Sequence, residues 1–118
     1  MMKKSNPQRS DIWLVNFNPT EGNEIQKLRP AVVINRNISN SLDLFIVVPI
    51  TGWKNDFSGV TWLYKIEPDK TNKLDKVSTV NCYQIRTVSL SRFKKLIGRL
   101  NDNDIYEIVN AVGFCIGL

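Results

Sequence analysis

Short apolar runs fill most of the chain and predict β-strands. Side chains on a strand point to alternate faces, and β-branched and aromatic residues suit its pleated surface. On this pattern we predict strands over 11–17, 31–36, 42–50, 59–67, 77–85, 86–90 and 94–100. Gly, Pro, Asn and Asp cluster between these runs, above all in 18–28 and 52–58, which we predict to be loops, with a turn at 37–41.

The period changes near the carboxyl end of the chain. Apolar residues there follow the i, i+3, i+4, i+7 spacing of one helical face, at Ile105, Ile108, Val109, Val112, Cys115 and Ile116. Asn101 or Asp102 supplies a side chain that can cap the first turn. We therefore predict a helix over 102–116. The expected fold is mainly β, a strongly bent antiparallel sheet or open barrel that the helix covers on one side.

The chain of 118 residues has no repeat and no Gly/Ser linker. Its length fits one domain, which we place at 11–118. Residues 1–10 are polar, and we expect them to be a flexible amino-terminal segment.

The composition excludes several kinds of chemistry. There is no histidine, so Ser-His-Asp hydrolysis, Cys-His proteolysis, His-ligated zinc and paired-histidine ribonuclease chemistry are excluded. Cys82 and Cys115 form no CxxC pair, and we expect buried thiols, no metal and no cofactor. The longest apolar run, 44–50, is too short to span a bilayer, and residues 1–10 do not resemble a signal peptide. We expect a cytoplasmic protein that does not enter a membrane.

A formal charge of +5 favours an acidic partner such as nucleic acid, although basic domains also occur without one. Polar residues at strand ends are the candidates for chemistry. Arg29 has the donor geometry for a phosphate and Glu24 can accept a proton, but the two also fit a surface ion pair. Thr51 follows an apolar strand, where its hydroxyl is either a phosphate donor or structural.

Alternation places Gln84 and Arg86 on the same face of an extended segment, opposite Ile85. Trp53 and Tyr83 can stack on bases, or they can pack against the core or its rim.

Several blocks together resemble the MazF/PemK toxins. They are Asp11–Pro19 followed by Glu21–Glu24, Leu28–Ile34, Val48–Thr51, and Tyr83–Val88 followed by Ser91–Phe93. The last block is similar to that family's "QIRT…SR" segment. The resemblance runs from about residue 10 to the helix, with a departure at 25–28, where the family often has Gln and Gly before Arg-Pro.

The resemblance implies a small SH3-like barrel of the CcdB/MazF type with a carboxyl-terminal helix, and a homodimer. It also implies a metal-independent endoribonuclease that is held inactive by a cognate, MazE-like antitoxin. Carried over by position, Arg29 and Thr51 form the catalytic pair, Glu24 is a further candidate, and Gln84 and Arg86 support the site. We expect Trp53 and Lys54, in the second loop, to contact the RNA.

This activity is compatible with a chain that lacks histidine, because RNA supplies its own nucleophile in the 2′-OH group. Arg29 would stabilise charge on the phosphate, Thr51 would donate to a non-bridging oxygen, and Glu24 would take the 2′-OH proton. Two alternatives remain open. One is a gyrase-directed toxin of the same fold, whose relatives end in Trp-Gly-Ile where this chain ends Cys115–Leu118. The other is a single-stranded RNA-binding module that does not cleave.

Overall fold

The computed structural model describes residues 6–38 and 41–118. Within them the elements are β1 (Asp11–Asn16), β2 (Leu28–Val33), β3 (Leu44–Gly52), β4 (Leu63–Ile66), β5 (Ser78–Asn81), β6 (Arg86–Ser89), β7 (Phe93–Arg99) and α1 (Asp102–Cys115). Short 3₁₀ turns cover 55–57, 82–84 and 90–92. The predicted mainly β fold with one terminal helix is confirmed.

The strands form one antiparallel sheet in the order β4-β5-β3-β2-β1-β7, with β6 also paired to β3. β3 bends this sheet because it changes partners along its length. Leu44–Val47 pair with β6, Val47–Pro49 with β2, and Ile50–Gly52 with β5. Pro49, which has no backbone donor, is the last residue of β3 paired with β2. The sheet therefore curves into a barrel-like shape that does not close.

Two apolar clusters lie on opposite faces of the sheet, as the alternation along the strands requires. The first joins Ile12, Val32, Val48 and Ile50 to the helix, and the second contains Trp13, Val15, Phe17, Ala31, Val33, Val47, Val88 and Phe93. In the second cluster the Phe93 ring meets the rings of Trp13 and Phe45 edge-on, at centroid distances of 5.7 and 5.2 Å. The catalytic candidates extend from this second face, as described below.

Helix α1 begins and packs as its sequence predicts. The Asn101 side chain accepts a hydrogen bond from the Asp104 backbone N–H at 2.7 Å, which satisfies a free donor of the first turn. Ile105, Ile108 and Val112 are buried against the sheet. The buried face is narrower than predicted, however, because Val109 and Ile116 are exposed. The helix ends at Cys115, one residue before the predicted end.

β3 begins and ends two residues later than predicted, and three other strand predictions were wrong by three or more residues. β2 begins at Leu28 and not at residue 31, because residues 28–30 already pair with β1, Leu28 opposite Asn16. β4 is shorter than predicted because residues 57–63 turn, with the Val60 N–H donating to Phe57 O and the Leu63 N–H to Val60 O. The strand predicted over 77–85 breaks at the 3₁₀ turn 82–84, whose first residue, Cys82, is buried in the core.

Residues 6–10 contact the sheet. The Ser10 N–H donates to Val33 O at 2.8 Å, and the Leu100 N–H donates to Ser10 O at 2.9 Å. Pro7 and Ser10 are buried. Residues 1–5 of the segment predicted to be flexible, and residues 39–40 of the predicted turn, lie outside the described residues. In the part of the chain that the structure describes, no helix is long and apolar enough to cross a membrane.

Candidate active site

An open groove of about 540 Å³ lies where the loop between β1 and β2 meets the segment 83–86 and the end of β3. Its lining residues are Phe17, Asn23, Glu24, Ile25, Pro49, Tyr83, Gln84, Ile85 and Arg86. Three of the predicted site residues, Glu24, Gln84 and Arg86, are therefore brought together here. Glu24 is 60 residues before Gln84 and 62 before Arg86 in the chain, and the fold of the sheet brings the three together.

Gln84 and Arg86 hold the long loop in place. The Gln84 Oε1 accepts from the Ile25 backbone N–H at 2.6 Å, and its Nε2 donates to Asn23 O at 3.1 Å. Arg86 donates from Nη1 to Phe17 O at 2.7 Å, and its guanidinium lies 5.8 Å from the Phe17 ring centroid. Both side chains line the groove, but Ile85, predicted to lie on the opposite face, lines it too. The alternation fails here because Gln84 lies in a 3₁₀ turn and not in a continuous strand.

Arg92 is a third anchor of the same loop that the sequence reasoning did not select. Its Nη1 donates to Asn16 O at 3.0 Å and also to Asn18 O. Its position in the Ser-Arg block of the family resemblance was the available signal. Together with Gln84 and Arg86, it ties both ends of the loop to the sheet.

Arg29 and Thr51 lie where β2 and β3 separate. The last paired residues are Ala31 and Pro49, and Arg29 and Thr51 are each two residues beyond that pair. Because side-chain direction repeats every second residue, both lie on the face that carries Ala31 and Pro49. Neither is among the residues that line the groove, but Pro49 lines it and is adjacent along that face.

The side chains of Arg29 and Thr51 are half-buried. Arg29 Nε donates to Gln26 O at 3.3 Å, which leaves its two terminal nitrogens without a protein partner among the described residues. The Thr51 hydroxyl likewise has no hydrogen-bond partner in residues 6–38 and 41–118. Both groups are thus available to an anion that reaches this face.

Glu24 is exposed and held by its own loop. Its Oε1 accepts from the Glu21 N–H at 2.6 Å, and its N–H donates to Glu21 O at 3.1 Å. The ion pairs of the described residues join Arg99 to Asp11 and Lys65 to Glu67. The alternative reading of Glu24 and Arg29 as a surface ion pair is therefore not realised.

Trp53 and Lys54 are not among the residues that line the groove. The Trp53 ring meets the edge of Phe57 at 5.9 Å, and Lys65 Nζ lies 4.9 Å from its centroid. Lys54 is exposed and precedes the 3₁₀ turn 55–57. Much of the Trp53 ring is thus engaged by protein groups. Among the described residues, no three His, Cys, Asp or Glu side chains converge as a metal-binding set.

Comparison with known proteins shows the family of this chain. Residues 8–115 match the model of the PemK-like, MazF-like toxins of type II toxin–antitoxin systems. The chain is 35% identical over 112 residues to Endoribonuclease MazF of Staphylococcus saprophyticus, a match that covers 94% of this chain and 92% of that protein.

Solved structures agree on the fold. MazF (Form-I) from Deinococcus radiodurans has a TM-score of 0.81 at 20% identity, covering 98% of this chain and 100% of that chain. An endoribonuclease in complex with its cognate antitoxin from mycobacterial species has a TM-score of 0.74 at 15% identity, covering 95% and 96%. With its curved sheet, its terminal helix and a family match over almost all of its length, the chain belongs to the PemK-like, MazF-like toxins of type II toxin–antitoxin systems.

Proposed function

We propose that this chain is a sequence-specific endoribonuclease that cleaves single-stranded RNA without a metal ion. The observation that carries the proposal is the groove beside the β2–β3 separation. Arg29, whose two terminal nitrogens have no protein partner among the described residues, and Thr51, whose hydroxyl has none, lie on the face that carries Pro49. Pro49 lines this groove together with the carboxylate of Glu24. Single-stranded RNA suits an open groove because its bases are unstacked and accessible.

The reaction follows from these groups. The 2′-OH oxygen attacks the adjacent phosphorus, and the bond from phosphorus to the 5′-oxygen of the next nucleotide breaks. A 2′,3′-cyclic phosphate forms, and the released 5′-oxygen takes a proton from solvent to leave as a hydroxyl. Arg29 stabilises the charge that develops on the phosphate, and Thr51 donates to a non-bridging oxygen. Glu24 accepts the 2′-OH proton through the carboxylate oxygen that Glu21 does not occupy. Arginine is a poor base for this step because its pKa exceeds about 12.

Gln84 and Arg86 act as positioning residues in this scheme. Their hydrogen bonds to Ile25, Asn23 and Phe17 fix the loop that carries Glu24. A fixed loop holds the Glu24 carboxylate in position before the substrate binds. Such preorganisation is a main source of transition-state stabilisation in enzymes.

The test is incubation of the purified protein with a long single-stranded RNA in EDTA, with the fragment ends mapped. Wild type should give discrete cuts that end in a 2′,3′-cyclic phosphate. Arg29→Ala and Thr51→Ala should each lower the rate by ~10²- to 10³-fold, the cost of removing one preorganised donor.

Arg36→Ala, which removes an exposed arginine outside the groove, is the matched control and should cleave as wild type does. Wild-type cleavage by Arg29→Ala would refute the assignment of that residue. RNA that is bound but left intact by folded wild type would instead support the binding module.

We further propose that the chain acts in the cytoplasm as a homodimer under the control of an antitoxin. An acidic, disordered antitoxin segment complements a chain with a formal charge of +5 and can occupy the RNA groove. Toxin–antitoxin complexes among the similar solved structures support this arrangement. Addition of such a peptide should protect RNA from cleavage.

A further inference from the structure

Two exposed aromatic side chains stand together beside the groove. Trp62 is 40% exposed and Tyr83 is 67% exposed, and their ring centroids lie 6.2 Å apart. The ring planes are inclined by 61°, so the two rings do not stack face to face on each other. The other exposed aromatic side chains of the described residues, Tyr106 and Phe114, lie on α1.

The backbone holds this pair in a defined position. The Cys82 N–H donates to Trp62 O at 2.9 Å and so links the two segments. Asn81 Oδ1 accepts from the Tyr83 N–H at 3.2 Å and caps the 3₁₀ turn. Cys82, the residue before Tyr83, is fully buried. The turn thus uses one residue as an anchor in the core and presents the next to solvent.

The pair is continuous with the candidate active site. A second cavity of about 200 Å³ is lined by Trp62, Asn81, Tyr83 and Gln84. Tyr83 and Gln84 also line the larger groove that contains Glu24 and Arg86. A strand of RNA that lies in the groove would therefore pass directly beside both aromatic rings.

We propose that Trp62 and Tyr83 form a base-stacking subsite for one unpaired nucleotide of the RNA, next to the cleaved phosphate. The inference rests on the proposed function, because it assigns a role in substrate binding at the same site. An exposed aromatic face is the group on which single-stranded bases stack, and this contact accepts any base. The subsite therefore fixes the register of the strand and leaves base identity to other contacts.

The experiment measures binding separately from cleavage. The probe is a fluorescein-labelled single-stranded oligonucleotide that contains all four bases with 2′-fluoro sugars, which lack the attacking hydroxyl. A second probe of the same length is abasic: it keeps the sugar-phosphate backbone and lacks the bases. Dissociation constants are compared by anisotropy for wild type, Tyr83→Ala, Tyr83→Phe, Trp62→Ala and Trp62→Phe, each confirmed to be folded by circular dichroism.

We expect Tyr83→Ala to raise the Kd of the base-containing probe by about 5- to 150-fold, and Trp62→Ala to raise it in the same direction. Tyr83→Phe and Trp62→Phe should retain most of the affinity because they keep a stacking face. The abasic probe should bind the alanine variants as it binds wild type. Tyr106→Ala is the matched control, since Tyr106 is 64% exposed but lies on α1, and it should change neither probe.

Any of three results with the RNA probes would overturn the inference. They are unchanged binding by Tyr83→Ala, an equal loss for the abasic probe, and no binding of the base-containing probe by wild type. Weakened binding of the antitoxin peptide alone, with RNA binding intact, would assign the pair to the protein partner and also overturn it. A wild type that stacks the probe but never cleaves RNA would refute the proposed function and leave this subsite in place.

Discussion

The side-chain amide of Gln84 makes two hydrogen bonds to the loop between β1 and β2, one through its oxygen and one through its nitrogen. It accepts from the Ile25 N–H and donates to Asn23 O, so a single residue closes a contact between positions about 60 apart in sequence. A carboxylate in its place would lose the donor, and an aliphatic residue would lose both hydrogen bonds. At this scale the loop's order depends on individual polar groups, because among residues 18–27 only Ile25 is an apolar side chain that packs against a core cluster.

Gln84→Ala should loosen the loop that carries Glu24. Loss of the two hydrogen bonds should cost about 1–3 kcal/mol of unfolding free energy, because the partly buried Ile25 N–H is left without its acceptor. Trypsin should then cut after Lys27 faster than in wild type, and RNA cleavage should slow. Gln26→Ala is the control, since Gln26 is exposed and Arg29 contacts only its backbone oxygen. Equal trypsin sensitivity of the two variants would contradict the anchoring role.

Strand β7 packs its backbone against the turn that precedes β5. A Cβ placed on Gly98 would lie 2.4 Å from Asn72 O and 2.7 Å from Thr71 O. The Asn72 side chain fixes that turn, because it is buried and its Oδ1 accepts from the Asp69 and Leu74 backbone N–H groups. The close approach of two backbone segments is what requires glycine here.

Gly98→Ala should therefore lower the unfolding free energy by about 1–3 kcal/mol, the usual cost of forcing extra volume into a packed site. Urea denaturation measures it. Gly113→Ala is an informative comparison, because its Cβ would meet only the flexible Leu118 side chain, at 3.3 Å, and alanine favours a helix. Gly113→Ala should leave stability unchanged or raise it. A Gly98→Ala protein as stable as wild type would show that the turn can move.

The unfolding free energy of the molecule should fall at alkaline pH, because folding raises the pKa values of two of its groups, Cys82 and Tyr64. Burial raises the pKa of the Cys82 thiol to about 12, with a smaller contribution from Cys115. Burial, followed by the hydrogen bond that Tyr64 donates to Asp104 at 2.6 Å, raises the pKa of the Tyr64 hydroxyl. Both groups are neutral when protonated, so folding favours the protonated form of each.

The sign follows from which state keeps its protons. At neutral pH both groups are protonated in either state, and stability does not depend on them. Above that pH the unfolded chain loses protons first, starting with the thiol at its ordinary pKa of 9.0, so stability should fall as pH rises toward 12. Urea midpoints at pH 7, 9 and 10.5 measure this decline, which Tyr64→Phe should make shallower above pH 10. Tyr106→Phe, on the exposed side of α1, should not change it.

The order of the elements was predictable because it depends on local patterns. Apolar alternation located every strand and helical spacing located α1, since each reflects the repeat of side-chain direction along one element. The boundaries at 59–67 and 77–85 were not predictable. They are set by turns whose residues pack elsewhere, as Cys82 does in the core.

The sequence by itself determined the fold class, the absence of histidine chemistry and, through ordered blocks of residues, the family and its candidate residues. Only the tertiary structure decided which of these residues meet. It brought Glu24, Gln84 and Arg86 to the lining of one groove, and it placed the Trp53 ring against Phe57. It also showed that Arg92 anchors the long loop and that Trp62 lies beside Tyr83. The reason is that such contacts join distant segments of a curved sheet, and their geometry depends on strand register and on turns, which no local pattern of residues specifies.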